Sequence, residues 1–158
     1  MTNQNQDIIT YFQKLDRGFF IDELKEFAYM DEAITIGHEQ TISQPSLVLE
    51  MTLAIDLQPH SKVLEIGTGS GFQTALLAAF SNSVYTIERI AALHERTKER
   101  LEKAGFSNIR FKLDDGSTGW EEHAPYNRIM VTAAATQVPR EAVPFHHPQF
   151  VTGSYRPM

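Results

Sequence analysis

A glycine-rich loop, Gly67-Thr68-Gly69-Ser70-Gly71, carries the strongest chemical signal in this 158-residue sequence. It lies between a short apolar run, predicted as a strand, and an Ala- and Leu-rich segment, predicted as a helix. Glycines let the backbone turn sharply and approach a ligand, and the helix start behind them offers free N–H groups. The context therefore predicts a nucleotide-type binding loop.

The spacing within this loop argues against two common ligands. A dinucleotide-binding loop has the pattern G-x-G-x-x-G, but Phe72 occupies the position of its third glycine. A P-loop would carry a Gly-Lys pair where Phe72-Gln73 stands. Glu65, just before the loop, would repel a pyrophosphate. It can instead attract the amino-acid moiety of S-adenosylmethionine, directly or through water.

Acidic residues stand at the ends of three successive predicted strands: Glu65, Glu88 and Asp115. In open α/β sheets, ligands bind at the carboxyl ends of the strands. Glu88 can accept hydrogen bonds from both ribose hydroxyls of a nucleoside, and Asp115 with the N–H of Gly116 can hold adenine. Turn glycines and surface acids are the alternative interpretation, which the shared position of the three acids disfavours.

Alternation of strands and helices predicts an α/β fold with a doubly wound, mostly parallel sheet. We predict three segments: an N-terminal helical segment over 1–60, an α/β core over 61–143 and a divergent tail over 144–158. The predicted strands are 62–66, 83–87, 108–112 and 128–132, with 149–152 as a further candidate, and the predicted helices are 7–15, 45–57, 72–80, 90–104 and one beginning at 139.

Composition excludes several classes of function. Fourteen basic and twenty acidic residues give a net charge of -6, which argues against nucleic-acid or anionic-membrane partners. Because cysteine is absent, disulfides, thiolate metal sites and thiol nucleophiles are excluded. No metal site is expected from His146-His147, since adjacent histidines point apart. The polar N-terminus lacks an apolar signal core, so we expect a soluble, cytoplasmic protein.

Two segments resemble the signatures of the protein-L-isoaspartate O-methyltransferase family. They are Thr41-Ile42-Ser43-Gln44-Pro45 and Val63-Leu64-Glu65-Ile66 followed by the glycine loop. Supporting stretches occur in the same order across about residues 24–143: Ala28-Tyr29-Met30-Asp31, Thr86-Ile87-Glu88-Arg89, Asp115-Gly116 and Val131-Thr132-Ala133-Ala134-Ala135.

The resemblance implies a Rossmann-like, class I S-adenosylmethionine-dependent methyltransferase. Such an enzyme methylates the free carboxylate of L-isoaspartyl and D-aspartyl residues in damaged proteins, and the ester then closes to a succinimide that reopens partly to aspartate. The resemblance places Ser43 at the active site. It assigns cofactor contacts to Thr41, Ile42, Glu65, Gly67, Thr68, Gly69, Ser70, Gly71, Glu88, Asp115 and Gly116.

The resemblance fades after Val143, where Pro144 and Pro148 flank the two histidines. We expect the C-terminal strands of the family fold to be truncated or altered. The fourth strand, 128–132, would then lie near a sheet edge with unpaired backbone groups, which favours self-association. A methyltransferase for another carboxylate or small molecule remains an alternative, as does a non-catalytic S-adenosylmethionine-binding fragment.

Overall fold

The computed structural model describes residues 3–132 and 149–152. The strands are β1 Ile34–Gly37, β2 Gln40–Ile42, β3 Lys62–Ile66, β4 Ser83–Glu88, β5 Ile109–Leu113, β6 Arg128–Val131 and β7 Gln149–Thr152. The helices are α1 Asn3–Lys14, α2 Pro45–Ala54, α3 Phe72–Ala79 and α4 Ala91–Lys103. Each strand and helix predicted within the described residues is therefore present, and the helix expected from 139 lies outside them.

Five strands form one sheet in the order β5-β4-β3-β6-β7, and every neighbouring pair is parallel. This confirms the predicted α/β class. Because the strands are parallel, their carboxyl ends meet along one edge of the sheet. The chain leaves β3 toward β4 and β5 on one side and returns to β6 on the other, which makes β3 the switch point where such sheets bind ligands.

The expectation that the fourth core strand lies at a sheet edge is wrong. The outer side of β6 pairs in parallel with β7, from Arg128 opposite Gln149 to Val131 opposite Thr152. Val151 also packs against the apolar cluster that α2 and α3 form on one face of the sheet. The backbone groups of β6 are thus paired on both sides, so the physical reason given for self-association does not hold, and self-association stays a prediction.

Apolar side chains on the two faces of β3 enter different clusters. Val63 joins the cluster under α2 and α3, which includes Met51, Ile55 and Leu77. Leu64 joins the cluster on the opposite face, which includes Tyr85, Tyr126 and Ile129. This alternation follows from the two-residue period of a strand. It also places Glu65 on the same face as Val63, toward α3.

The segment before residue 60 packs on the sheet domain through a shared core. Phe20 and Phe72 have ring centroids 5.3 Å apart, and both belong to one cluster with Ile42, Val48 and Leu101. The predicted boundary between the segments 1–60 and 61–143 therefore does not separate two cores. The division of the chain into these segments stays a prediction. Across the described residues, no helix has the length and apolarity that crossing a bilayer requires.

A two-stranded antiparallel hairpin, β1–β2, lies within this N-terminal segment and was not predicted. Its turn residues His38 and Glu39 have φ of 55° and 58°. Consecutive residues with positive φ match the right-handed twist of a hairpin, and such turns usually carry Asn-Gly or Asp-Gly. His38-Glu39 lacks that signal, so the turn could not be predicted from its two central residues.

We expect Gly71→Ala to destabilise the protein more than Gly105→Ala does. Both glycines have positive φ, 85° and 92°, so alanine costs about 1–2 kcal/mol at each site for the backbone alone. A Cβ at Gly71 would also lie 2.7 Å from Thr97 Cγ2 and 3.1 Å from Leu101 Cδ1, whereas no atom of the described residues lies within 4 Å of one at Gly105. Overpacking of this kind adds about 1–3 kcal/mol. Urea unfolding of the two variants measures the difference, and equal losses would mean that the loop is not tightly packed on α4.

Candidate functional site

A cleft opens at the carboxyl edge of the sheet, above β3 and β4, and is roofed by β2 and the start of α2. It encloses about 720 Å³ of space, including open solvent at its mouth. The lining residues are Gln40, Thr41, Ile42, Ser43, Val48, Ile66, Gly67, Thr68, Gly69, Ser70, Phe72, Gln73, Ile87, Glu88, Arg89, Asp115 and Thr132.

Most residues predicted from the sequence come together in this cleft. The nine that line it are Thr41, Ile42, Ser43, Gly67, Thr68, Gly69, Ser70, Glu88 and Asp115. Three predicted residues do not line it. Glu65 lies beneath the glycine loop, Gly71 faces α4, and Gly116 packs on β3, where an added Cβ would lie 2.7 Å from Ile66 Cγ2.

Glu88 lies at the end of β4, and its carboxylate joins the glycine loop to the start of α4. Oε2 accepts from Gly69 N at 2.8 Å, and Oε1 accepts from Ile90 N at 3.0 Å. Each carboxylate oxygen has a further lone pair, so both can still accept from a ligand. The side chain is therefore held in one orientation beside the cleft with acceptor capacity left over.

Glu65 lies at the end of a buried chain of hydroxyls. Its Oε2 accepts from Thr74 Oγ1 at 2.6 Å and from Thr86 Oγ1 at 2.8 Å. Since Thr86 gives its only proton to Glu65, its bond to Thr68 Oγ1, at 2.6 Å, must be donated by Thr68. Glu65 Oε1 is buried without a partner among the described residues. The chain thus links the carboxylate to Thr68 in the cleft wall.

Burial raises the pKa of the Glu65 carboxyl to about 7, although the two threonine hydroxyls lower it and the Glu88 carboxylate raises it further. The folded protein holds this proton at pH values where the unfolded chain, with an ordinary carboxyl pKa, has released it. Stability therefore falls as the pH rises from about 4.5 to about 7 and then levels off.

Glu65→Gln should remove that decline, because glutamine does not ionise. The stability of the variant relative to the parent should increase by up to about 3 kcal/mol between pH 4.5 and 7.5. Urea unfolding at three pH values measures this. Glu99→Gln is the control: Lys103 holds the pKa of that exposed carboxyl low, so any pH-dependent change there has the opposite sign. If the difference in stability between Glu65→Gln and the parent does not change with pH, the pKa of Glu65 is not raised in the folded protein.

Ser43 is half-buried in the cleft wall between β2 and α2. Ser43 does not cap α2, because Gln44 occupies the N-cap position and Pro45 is the first helical residue. Asp31, which is distant in sequence, caps α2 instead, because its Oδ1 accepts from Ser46 N at 2.8 Å. Within the described part of the chain, the Ser43 hydroxyl has no hydrogen-bond partner, so it is available to a ligand.

Asp115 closes the cleft on the side of β5. Its Oδ1 accepts from the backbone N and the hydroxyl of Ser117, at 2.8 and 2.7 Å. These bonds lower the pKa of the Asp115 carboxyl, with the hydroxyl of Ser117 contributing most. Oδ2 has no such bond within the described residues, which leaves one acceptor for a ligand.

Several cleft residues were not among the predicted site residues. Thr132 donates to the carbonyls of Ile66, at 3.2 Å, and Gly67, and so fixes the start of the glycine loop. Gln73 Nε2 donates to Thr52 Oγ1 at 2.8 Å, while its buried Oε1 has no partner among the described residues. Thr132 directly follows β6 and therefore lies at the carboxyl edge of the sheet. That position was the one sequence feature that could have indicated its place in the cleft.

A parallel sheet with a glycine loop after the central strand and an acidic residue ending the next strand is a Rossmann-like arrangement. The G-x-G-x-G spacing of the loop, in place of the dinucleotide pattern G-x-G-x-x-G, is typical of the S-adenosylmethionine-dependent methyltransferases of this class. Within that class, the family model described as "Protein-L-isoaspartate(D-aspartate) O-methyltransferase (PCMT)" matches residues 1–145. The chain belongs to this family.

Relatives with the name protein-L-isoaspartate O-methyltransferase support the assignment. One from Dictyoglomus turgidum is 51% identical over 137 residues, which cover 86% of this chain and 62% of the relative. One from Pseudomonas aeruginosa is 49% identical over 138 residues, covering 86% of this chain and 65% of the relative. The chain thus spans less than two thirds of the length of these relatives.

Solved structures show the same fold. A protein-L-isoaspartate O-methyltransferase is similar with a TM-score of 0.73 and 25% identity, over 87% of this chain and 50% of that one. A candidate enzyme of the same name from Plasmodium falciparum, in complex with S-adenosyl-L-homocysteine, has a TM-score of 0.69 and 23% identity, over 86% of this chain and 69% of that one.

Proposed function

We propose that this protein transfers a methyl group from S-adenosylmethionine to the free carboxylate of L-isoaspartyl and D-aspartyl residues in damaged proteins, as a step in their repair. Its partners would be peptides and proteins that contain such residues, and its location the cytoplasm. Family membership supports the reaction, and the cleft supports the assignment of residues.

One observation carries the proposal: Ser43 and Glu88 line the same cleft although they lie 45 positions apart in the sequence. The free hydroxyl of Ser43 is a donor suited to a substrate carboxylate. The Glu88 carboxylate is an acceptor suited to ribose hydroxyls. A transferase needs both ligands in one space, and this cleft provides a group for each.

The described residues fit the donors and acceptors of S-adenosylmethionine. Glu88 and Asp115, which line the cleft, supply acceptors for its hydroxyls and amino groups. Glu65, with one buried oxygen unpartnered among the described residues, lies behind the glycine loop and is negatively charged above about pH 7. When ionised, it would act on the ammonium group of the amino-acid moiety through Thr68 or water, because Glu65 itself does not line the cleft.

When bound, the cofactor supplies an electrophilic methyl group on a sulfonium sulfur. The protein then has to orient the attacking oxygen rather than activate it, because a carboxylate is already ionised at pH 7. Ser43 would hold that carboxylate by donating its hydroxyl proton to one oxygen without neutralising the charge. Holding two reactants in line can lower the barrier by several kcal/mol, roughly 7–11 in the best cases.

The test is methyl transfer from labelled S-adenosylmethionine to an isoaspartyl peptide and to the same peptide with ordinary aspartate. We expect base-labile label only on the isoaspartyl peptide. Equal labelling of both would favour a methyltransferase for other carboxylates. S-adenosylhomocysteine binding by calorimetry without any transfer would favour a binding module, and tighter binding of NAD would overturn the assignment of the cleft.

A further inference from the structure

Arg17 is a buried arginine whose guanidinium, among the described residues, binds backbone carbonyls and no side chain. Only 3% of the Arg17 surface is exposed to solvent. Nη1 donates to Ala28 O at 3.1 Å and to Met30 O at 3.2 Å, and Nη2 donates to Glu32 O at 2.7 Å and to Ser43 O at 3.0 Å. The guanidinium therefore ties the 28–32 segment to the backbone of the residue that carries the free hydroxyl.

Among residues 3–132 and 149–152, no carboxylate lies within salt-bridge distance of Arg17, and its Nε has no partner. The Asp31 carboxylate acts on the charge of Arg17, but its side chain is exposed and bonded to Ser46 N, so water screens it. Burying a charge without a paired counter-charge is unfavourable, and neutral donors would avoid that cost.

We propose that Arg17 is a positioning residue for the substrate carboxylate: it fixes the Ser43 backbone and places an unpaired positive charge behind the Ser43 hydroxyl. A carboxylate that accepts from that hydroxyl would lie on the order of 8 Å from the guanidinium, from ordinary bond lengths and one hydrogen bond. At an effective dielectric constant of about 20, the attraction corresponds to roughly ten- to thirtyfold in affinity. This inference rests on the proposed function.

A purely structural role makes a different prediction. If Arg17 only braces the loop, its loss would weaken the binding of any peptide in the same proportion. If its charge attracts the substrate, the loss would act on a peptide with a free α-carboxylate and spare the same peptide with an α-carboxamide. The preference for carboxylate over carboxamide is therefore the quantity to measure.

The experiment measures dissociation constants of the two labelled isoaspartyl-type peptides, carboxylate and carboxamide, for the full chain saturated with S-adenosylhomocysteine. Arg17→Gln and Arg17→Lys form a matched pair, because both lose the guanidinium fork but only lysine keeps the charge. We expect the parent to prefer the carboxylate peptide about tenfold or more, Arg17→Lys to retain most of that preference, and Arg17→Gln to lose it.

Arg128→Gln is the control. This arginine donates to Asp56 O at 2.8 Å and lies at the start of β6, at the opposite end of the strands, so its loss should leave the preference unchanged. Equal preferences in the lysine and glutamine variants would overturn the role of the Arg17 charge. Absence of binding and methylation of the carboxylate peptide by the parent would instead overturn the proposed function.

The parent protein alone provides a further test that does not depend on the variants folding. Because the Arg17 charge is buried, salt should screen it weakly. The carboxylate preference should therefore persist in 0.5 M NaCl to within about a factor of three. A preference that disappears in salt would assign it to exposed charges and overturn the inference.

Discussion

Replacing Ser43 with alanine should reduce methyl transfer to an isoaspartyl peptide by about 100-fold, the scale typical for removing one donor that holds a reacting oxygen group. Its effect on stability should be small, within about 0.5 kcal/mol, because the hydroxyl has no partner among the described residues and does not cap α2. Steady-state transfer kinetics and urea unfolding on the same preparation measure both quantities.

Two variants sharpen this test. Ser46→Ala removes an exposed hydroxyl three residues away, outside the cleft, and should leave transfer unchanged. Ser43→Asp should retain the fold but lose activity, because it brings a negative charge beside the substrate carboxylate. Full activity of Ser43→Ala would mean that another group binds the substrate carboxylate.

Glu88→Ala should weaken S-adenosylhomocysteine binding by roughly 1.5–3 kcal/mol, which is about ten- to 150-fold, because the ribose would lose a charged acceptor. It should also lower stability, since the N–H groups of Gly69 and Ile90 lose their acceptor. Calorimetry and urea unfolding separate the two effects.

Glu88→Gln keeps an oxygen acceptor but removes the charge, so its loss of affinity should be smaller. Glu102→Ala, on the exposed side of α4, is the control for removing one negative charge and should bind normally. An unchanged affinity in a folded Glu88→Ala variant would remove Glu88 from the cofactor site.

Hydrophobic periodicity, together with the glycine, proline and polar residues that end each segment, predicted the sheet domain well. β3 begins and ends at the predicted residues, β4 and β6 each differ from the prediction by one residue at the carboxyl end, and β5 is shifted by one residue at both ends. These strands are short apolar or alternating segments bounded by polar or glycine residues, a pattern that depends only on local sequence. The part of the cleft at the strand ends could be predicted from the same local information, because residues at the carboxyl ends of parallel strands lie along one edge of the sheet.

Contacts between distant parts of the chain could not be predicted in this way. Ser43 has the residue type of an N-cap, but Asp31 takes that role by accepting from Ser46 N, fifteen positions later in the chain, which no local pattern reveals. The burial of Glu65 was predictable in principle, since strand alternation puts it on the face of Val63. Arg17 carries no signal, because an arginine in an N-terminal segment is ordinarily solvent-exposed.

The walls of the cleft come from three separate parts of the chain: the hairpin with the start of α2, the strand ends of the sheet, and Thr132 after β6. Any molecule that binds there makes contacts that exist only while all three parts are folded together. Binding and folding are then linked by mass action. A ligand present at one hundred times its dissociation constant would add about 2.7 kcal/mol to the free energy of unfolding. The occupied cleft would thus act as a non-covalent brace between the N-terminal segment and the sheet.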